Sequence, residues 1–321
     1  MTRTRPPARP TRRAGLALLL AFGLAPPARA EAEIRVTLAT ATPGGGFPAF
    51  GDAFVAALRA VDPALHVAAR PSRGSVENLG LLRAGAVDLA LVQGEYAYPA
   101  LAGSDGLTVL APMYPTPGLL VVPAAGPVRS FADLRGRPVA IGTHDSGLTA
   151  MGRTVLAAAG LDPGRDIRPI LLDRAGDGPA MVLDGRADAL WGGGLGWPGF
   201  VAAARAPGGA RFLGAPPEAI ARLVRPGSAL RRLTVPAGSF AGQATPIETV
   251  GSWSLVLARP GLDPETAYRL VRALARARDA MAARHPQGAE SDPRNLAGLV
   301  PAAWLNPGTA RFLAQDGATP Q

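Results

Sequence analysis

The sequence predicts an α/β protein made of two doubly wound units joined by a pair of hinge strands. Three observations carry this expectation. Short β-type runs alternate with helix-length apolar patterns along most of the chain, small polar or Gly-rich turns follow the strands, and two similar apolar runs, 119–122 and 250–258, bracket the middle region. Alternation of this kind builds a mostly parallel sheet with right-handed crossovers.

The elements follow in order. The first strand, 34–40, is broken by Thr42-Pro43-Gly44-Gly45-Gly46, and a helix spans 48–60. A strand at 65–69 leads through a turn to a helix over 75–84, a buried strand over 87–92 and a helix ending near Leu101. Runs at 107–113 and 119–122 close the first unit as two separate strands. After Pro123-Ala124-Ala125-Gly126-Pro127 the second unit offers strand 138–142, helix 148–159, strand 167–172, helix 179–184 and strand 188–191. The stretch 192–245 is interrupted by Gly and Pro and is harder to parse into elements. A strand follows over 250–258. Asp263-Pro264-Glu265 then starts a helix, with an N-cap acid, Pro in the first turn and an acid at the positive end of the dipole. That helix runs to about Arg284, with Leu270, Val271, Leu274 and Met281 on its apolar face and Arg269, Arg272, Arg276 and Asp279 on its polar face. These units suggest a lobe built from 31–124 and 248–321, with 125–247 inserted as a second lobe.

Composition narrows the chemistry. The 321 residues contain no cysteine, which excludes disulfides, cysteine nucleophiles and thiolate metal sites. Every basic residue is arginine, so Schiff-base chemistry and a Walker-type phosphate loop are excluded as well. The formal charge of +9 suggests a nucleic-acid partner at first sight. Its placement argues otherwise. Arg3, Arg5, Arg9, Arg12 and Arg13 precede the apolar run 14–25, and Ala28-Arg29-Ala30 follows it. This is the pattern of a secretory leader cleaved after Ala30, too short to span a bilayer. Arg12-Arg13 hints at twin-arginine export, although Gly15 stands where that signal favours Phe. Without residues 1–30 the chain keeps 27 basic and 24 acidic residues, an ordinary surface of net +3 with no call for nucleic acid.

In open parallel sheets, ligands bind beyond the carboxyl ends of the strands, where helix N-termini present free N–H groups. The polar residues just after each strand are therefore the candidates: Thr42, Gly44, Gly45, Gly46 and Phe47 after the first, Ser75, Glu77 and Asn78 after the second, and Gln93 after the third. Tyr114, next to the 107–113 run, joins them. In the second unit Ser146 and Gly147 occupy the equivalent place, and Trp191, Gly196 and Pro198 follow its last strand. Consecutive glycines let backbone amides face an anion. Ser75 is read first as an N-cap for its helix.

Rival chemistries are weaker. His144, Asp145 and Ser146 are the residue types of a hydrolase triad, but three neighbours in one loop do not reach triad geometry. The other histidines, His66 in a strand-like run and His285 at a helix end, read as structural, and the three give no metal-ligand spacing. Gly44-x-Gly46-x-x-Ala49, with Arg70 and Arg73 at the next strand's end, imitates a dinucleotide fingerprint and keeps an exported NADP-dependent oxidoreductase as an alternative. Arg222, Arg225, Arg231 and Arg232 read as a solvated loop. Trp197, Trp253 and Trp304 read as core or hinge.

Several blocks carry a resemblance. Residues 39–47 (Ala-Thr-Ala-Thr-Pro-Gly-Gly-Gly-Phe), Gly74-Ser75-Val76-Glu77-Asn78-Leu79, residues 82–93 (Leu-Arg-Ala-Gly-Ala-Val-Asp-Leu-Ala-Leu-Val-Gln), residues 131–142, residues 184–189 and Gly196-x-Pro198 resemble the TAXI family of TRAP-transporter solute-binding proteins. The resemblance implies a two-lobed periplasmic binding protein of type II topology, without enzymatic activity, cofactor or metal. It would act as a monomer that closes on a small anionic or zwitterionic solute, a carboxylate or amino acid, and deliver it to a TRAP-type permease. It implies that the glycine turn, Ser75 to Asn78, Gln93, the Ser146-Gly147 loop and the Gly196-Pro198 loop line the cleft. Two blocks depart from the family: Gly46-Phe47-Pro48 replaces a hydroxyl-rich stretch, and Asp145-Ser146-Gly147-Leu148 replaces Gly-Ser-Gly-Thr. A binding protein of an ATP-driven importer of sulfonates or thiamine precursors shares the fold and stands as a second alternative.

Overall fold

In the computed structural model, which describes residues 1–2 and 32–317, most Gly- or Pro-marked turns separate a strand from a helix, while 236–246 joins two strands. The expected leader and its cleavage position lie outside the described residues, apart from Met1 and Thr2. The fold is that of the unit Glu33–Gln321. Its first half contains β1 (Ile34–Ala39), α1 (Gly46–Val61), β2 (Leu65–Arg70), α2 (Ser75–Arg83), β3 (Leu89–Val92), α3 (Gly94–Leu101) and β4 (Thr108–Pro123). The middle contains β5 (Pro138–Thr143), α4 (Gly147–Ala158), β6 (Arg168–Leu172), α5 (Gly178–Leu183), β7 (Ala189–Gly193), α6 (Pro198–Arg205), β8 (Ala210–Leu213), α7 (Pro217–Leu223) and β9 (Arg231–Val235). The chain returns through β10 (Ile247–Ala258) and ends in α8 (Pro264–Arg276), α9 (Arg278–Arg284) and α10 (Pro307–Gln315).

Among the described residues the strands join in the order β2-β1-β3-β10-β4-β7-β5-β6, with β8 on β4 and β9 on β10. The β1–β2, β1–β3, β5–β6 and β5–β7 pairs are parallel, whereas every pair made by β4 and β10 is antiparallel. The buried apolar residues separate accordingly. One cluster draws on Val36 to Tyr114 and Leu255 to Leu313, and two others, on opposite sides of the second half-sheet, draw on residues between Leu119 and Val250.

Three expectations need correction. The runs at 107–113 and 119–122 are one strand of 16 residues. Proline cannot donate to a ladder, yet Pro112, Pro115 and Pro117 lie inside this strand. They are tolerated because this part of β4 pairs with β10 on one side only, while its other side meets the C-terminal segment through Asn306 and Thr309, whose backbone N–H and hydroxyl donate to the Val109 and Leu110 carbonyls. The expected hinge partner 119–122 consequently pairs with β7 and β8, and β10 pairs with 108–117 instead. The stretch 192–245 also holds two helices and two strands, which place Arg222 on α7 and Arg231 and Arg232 on β9 rather than in a loop.

The third correction concerns the helix starting at Asp263. The cap is as expected, with the Asp263 carboxylate accepting from the Thr266 N–H at 2.8 Å. The helix breaks at Ala277, however, and α9 turns to pack on α1. Arg269, expected on the polar face, is buried at 7% exposure. Its Nε and Nη2 reach the two Asp62 carboxylate oxygens at 2.7 and 2.8 Å, a bidentate clamp between the end of α1 and α8. Its hydrogen bond holds the Asp62 carboxyl below the usual carboxylate range. Removing one member of a buried pair leaves an uncompensated charge. Arg269→Met should therefore lower unfolding free energy by about 3 kcal/mol in urea titrations. Arg276→Met, exposed on the same helix, should stay within about 0.5 kcal/mol of wild type.

Candidate functional site

The carboxyl ends of β1, β2, β3, β5, β6 and β7 all point at one cavity of about 80 Å³ between the two halves of the sheet. That is room for a few water molecules or a short organic solute. From the first half come Thr42, Gly45, Gly46 and Phe47, which lead into α1, Arg73 and Ser75 at α2, Gln93 before α3, and Tyr114 and Thr116 of β4. From the second half come Thr143, Ser146 and Leu148 around the start of α4, Leu172 and Ala175 after β6, Trp191 of β7, and Trp197 before α6.

Of the residues expected from sequence, Thr42, Gly45, Gly46, Phe47, Ser75, Gln93, Tyr114, Ser146 and Trp191 meet at this wall. Six do not. Gly44 lies outside, at φ +79°, where a Cβ would stand 2.5 Å from Gly176 Cα of the opposite half. Glu77 turns back to its own loop and accepts from the Arg73 backbone N–H at 2.7 Å. Asn78 is fully buried, its amide donating to the Thr40 and Leu91 carbonyls at 2.8 and 2.7 Å, so it ties β1 to β3. Gly147 packs on Gln93 and Ser75, and Gly196 lies under the His285 ring. Pro198 is exposed in the first turn of α6. Sequence reading missed Thr116, Thr143, Leu148, Leu172, Ala175 and Trp197. Thr143 follows a strand, as the other candidates do. Trp197 had only its neighbour Pro198 to mark it.

The polar atoms of the wall share one habit. Ser75 was expected to cap α2, but the cap position is Gly74 and the Ser75 hydroxyl accepts from the Gln93 N–H at 3.1 Å. Ser146 does cap α4, accepting from the Leu148 N–H at 3.2 Å, and Thr42 accepts from the Ala175 N–H at 3.3 Å. In each case a backbone donor occupies the oxygen and the hydroxyl hydrogen is left for the cavity. The Gly46 and Phe47 amides add donors, because α1 has no side-chain cap and first-turn N–H groups lack intrahelical acceptors. This wall suits a solute rich in acceptors. It does not suit nucleophilic catalysis: the Ser146 oxygen is engaged as described and Asp145 is paired with Arg73 at 3.2 Å. Among the described residues no three His, Asp or Glu side chains gather as metal ligands.

The two halves touch around the cavity. The Trp197 indole donates to the Gly44 carbonyl at 2.9 Å, the Gly176 N–H to the Pro43 carbonyl at 3.4 Å, and the Val76 N–H to the Asp145 carbonyl at 3.3 Å. A further clasp comes from the segment after α9. Gln287, 5% exposed, donates to the Pro115 carbonyl at 2.8 Å while its Oε1 accepts from Leu195 N–H at 2.7 Å and from Gly196 N–H at 3.4 Å. Beside it the His285 ring stacks on Tyr114 with centroids 5.2 Å apart. Nδ1 accepts from the Gln287 N–H, and Nε2 is buried without a partner. The expected helix-end position of His285 holds, but its ring is a buried element of this contact.

Residues 38–317 match the NMT1-like family. The chain belongs to that family. The NMT1-like chain is similar in structure to the alkanesulfonate-binding protein SsuA from Xanthomonas axonopodis pv. citri bound to MOPS, at 20% identity, covering 88% of this chain and 83% of that one with a TM-score of 0.50. It is similar to a structure described as a periplasmic transporter at 17% identity, covering 81% and 89% with a TM-score of 0.55. It is also similar to hydrogen-peroxide-bound OxyR from Corynebacterium glutamicum at 13% identity, covering 78% and 68% with a TM-score of 0.50. These likenesses establish the α/β fold of periplasmic solute-binding proteins, and the third is a reminder that a fold does not fix a function.

Two buried titratable groups of this NMT1-like chain flank the cavity. Burial lowers the His285 pKa to about 4, and burial raises that of Glu95, whose carboxylate receives the Ser252 hydroxyl at 2.8 Å, to about 7. Between about 4 and 6.5 the unfolded chain binds a proton that folded His285 refuses, so this residue makes stability rise with pH. Between 4.5 and about 7 the fold keeps a proton on Glu95 that the unfolded chain releases, so stability falls with pH. The two slopes oppose each other over pH 4.5–6.5. Each is worth up to a few kcal/mol. Thermal unfolding of Glu95→Gln should therefore gain stability with rising pH in this window relative to wild type, and His285→Phe should lose it. Parallel curves for the three proteins would refute the assignment.

Proposed function

We propose that this chain is an extracytoplasmic solute receptor and not an enzyme. It captures a small carboxylate or amino-acid-like solute between two lobes, 31–124 with 248–321 and 125–247, and delivers it to a membrane permease. The observation that carries the reading is the cavity itself. It lies at the carboxyl ends of strands from both halves of the sheet, its hydroxyls are turned to donate, and it is shut by backbone contacts between loops rather than by a continuous core. Such an arrangement holds a solute only while the lobes are together, so binding and closure are one equilibrium.

The sequence blocks 74–79 and 82–93 favour a TRAP-type permease. The likeness to alkanesulfonate-binding SsuA favours an ATP-driven importer instead. Uptake by vesicles carrying the cognate permease separates the two: dependence on an ion gradient supports the first, dependence on ATP the second.

Native mass spectrometry of protein purified without unfolding should show a bound small acid that disappears after unfolding and refolding. Absence of cargo, together with no compaction in solution scattering across a metabolite panel, would contradict the reading. Closure should also depend on the bare backbone at Gly44. Gly44→Ala places a methyl group 2.5 Å from Gly176 Cα. It should weaken solute binding by about tenfold or more and leave the radius of gyration at its open value when solute is added.

A further inference from the structure

We propose, resting on the receptor reading, that the solute is a small monoanion whose remaining polar groups are uncharged, an oxo or hydroxy carboxylate or a short sulfonate, and that the site rejects amino acids. The first support is the ionic content of the wall. No aspartate or glutamate lines the cavity, and its one charged side chain, Arg73, is 72% exposed at the rim and shared between Glu77 at 3.2 Å and Asp145 at 3.2 Å. The nearest buried carboxyl, Glu95, faces away from the cavity toward Ser252 of β10.

The second support is a buried hydroxyl that has nothing else to bind. Thr143 is 6% exposed, lines the cavity, and its hydroxyl makes no hydrogen bond within the protein. Gln93, 3% exposed, has its amide engaged by the Met151 sulfur at 3.9 Å and by the Glu95 carboxylate. Thr143, nine-tenths buried in the cavity wall, offers a neutral hydroxyl to a keto or hydroxyl oxygen of the solute. Meanwhile the hydroxyl hydrogens of Ser75 and Ser146 and the first amides of α1 supply the donors that an oxyanion needs. A carboxylate is satisfied by such neutral donors. An ammonium in the same place would meet only neutral oxygens and no buried counter-ion, which is far more costly. The rings of Trp191 and Trp197 leave room for a short apolar chain and little else.

The test is calorimetric titration of protein stripped by unfolding and refolding, with matched four-carbon probes: 2-oxobutyrate, 2-hydroxybutyrate and 2-aminobutyrate, with propane-1-sulfonate as the other oxyanion. The proposal expects at least one of the two acids or the sulfonate to bind, and 2-aminobutyrate to bind about 100-fold more weakly or not at all. Equal or tighter binding of 2-aminobutyrate overturns it, as does silence from all four probes. The receptor reading is judged separately by the native mass spectrum. A co-purified zwitterion would preserve the receptor and end this proposal, whereas a co-purified uncharged-bodied acid would support both.

Discussion

The antiparallel pairing of β4 with β10 is the one constraint on which the remainder of the molecule depends. Both strands run through the middle of the sheet, so each half hangs from the same two segments of backbone. Near Pro117 and Gly251 the pair is at its narrowest in side chains, and a Cβ on Gly251 would collide with the Thr116 carbonyl. The Thr249 hydroxyl bridges to the Gly118 carbonyl at 2.6 Å, and the Thr116 and Ser254 hydroxyls meet at 3.0 Å. A two-strand ladder with small residues at its centre bends more easily than the wide parallel sheets on either side. On the proposed reading, motion of one half against the other would be confined to this ladder, whose Tyr114 and Thr116 form part of the cavity wall.

Everything around the cavity follows from that geometry. Parallel strands on both sides deliver their carboxyl ends, and hence the starts of α1, α2 and α4, to the cavity. Serine and threonine hydroxyls engage backbone donors from neighbouring loops, which fixes their orientation before any solute arrives. The lobes approach through glycine and backbone because side chains would hold them apart. Gln287 adds a clasp on the hinge side, since one carboxamide reads both the Pro115 carbonyl of β4 and the Leu195 and Gly196 amides beyond β7.

The α/β rhythm was legible because each strand ends at a Gly, Pro or Ser signal with a local cause: the positive φ of Gly44 and Gly74, or the caps at Ser146 and Asp263. Nine of the fifteen expected site residues line the cavity for the same reason, as the positions after strands are set by topology. What stayed hidden was non-local. The continuity of β4 across its prolines stayed hidden because sequence does not tell which edge of a strand is unpaired. Arg269 read as a surface charge because its partner, Asp62, lies 207 residues away. Asn78 and Ser75 read as ligand or cap groups, and only the fold reveals the backbone atoms they hold. His285 and Gln287 sit far along the chain from the loops they clasp, and nothing in their local pattern marks them.

The central claim is that one hinge couples the solute to lobe closure, and the absence of cysteine from the chain makes it directly measurable. Spin labels introduced through Ala60→Cys on α1 and Arg153→Cys on α4, both exposed, report the distance between the lobes by double electron–electron resonance. Protein carrying its co-purified solute should give a single short distance, replaced after stripping by a longer and broader distribution. One distance, unchanged by removal of the solute, would contradict the account.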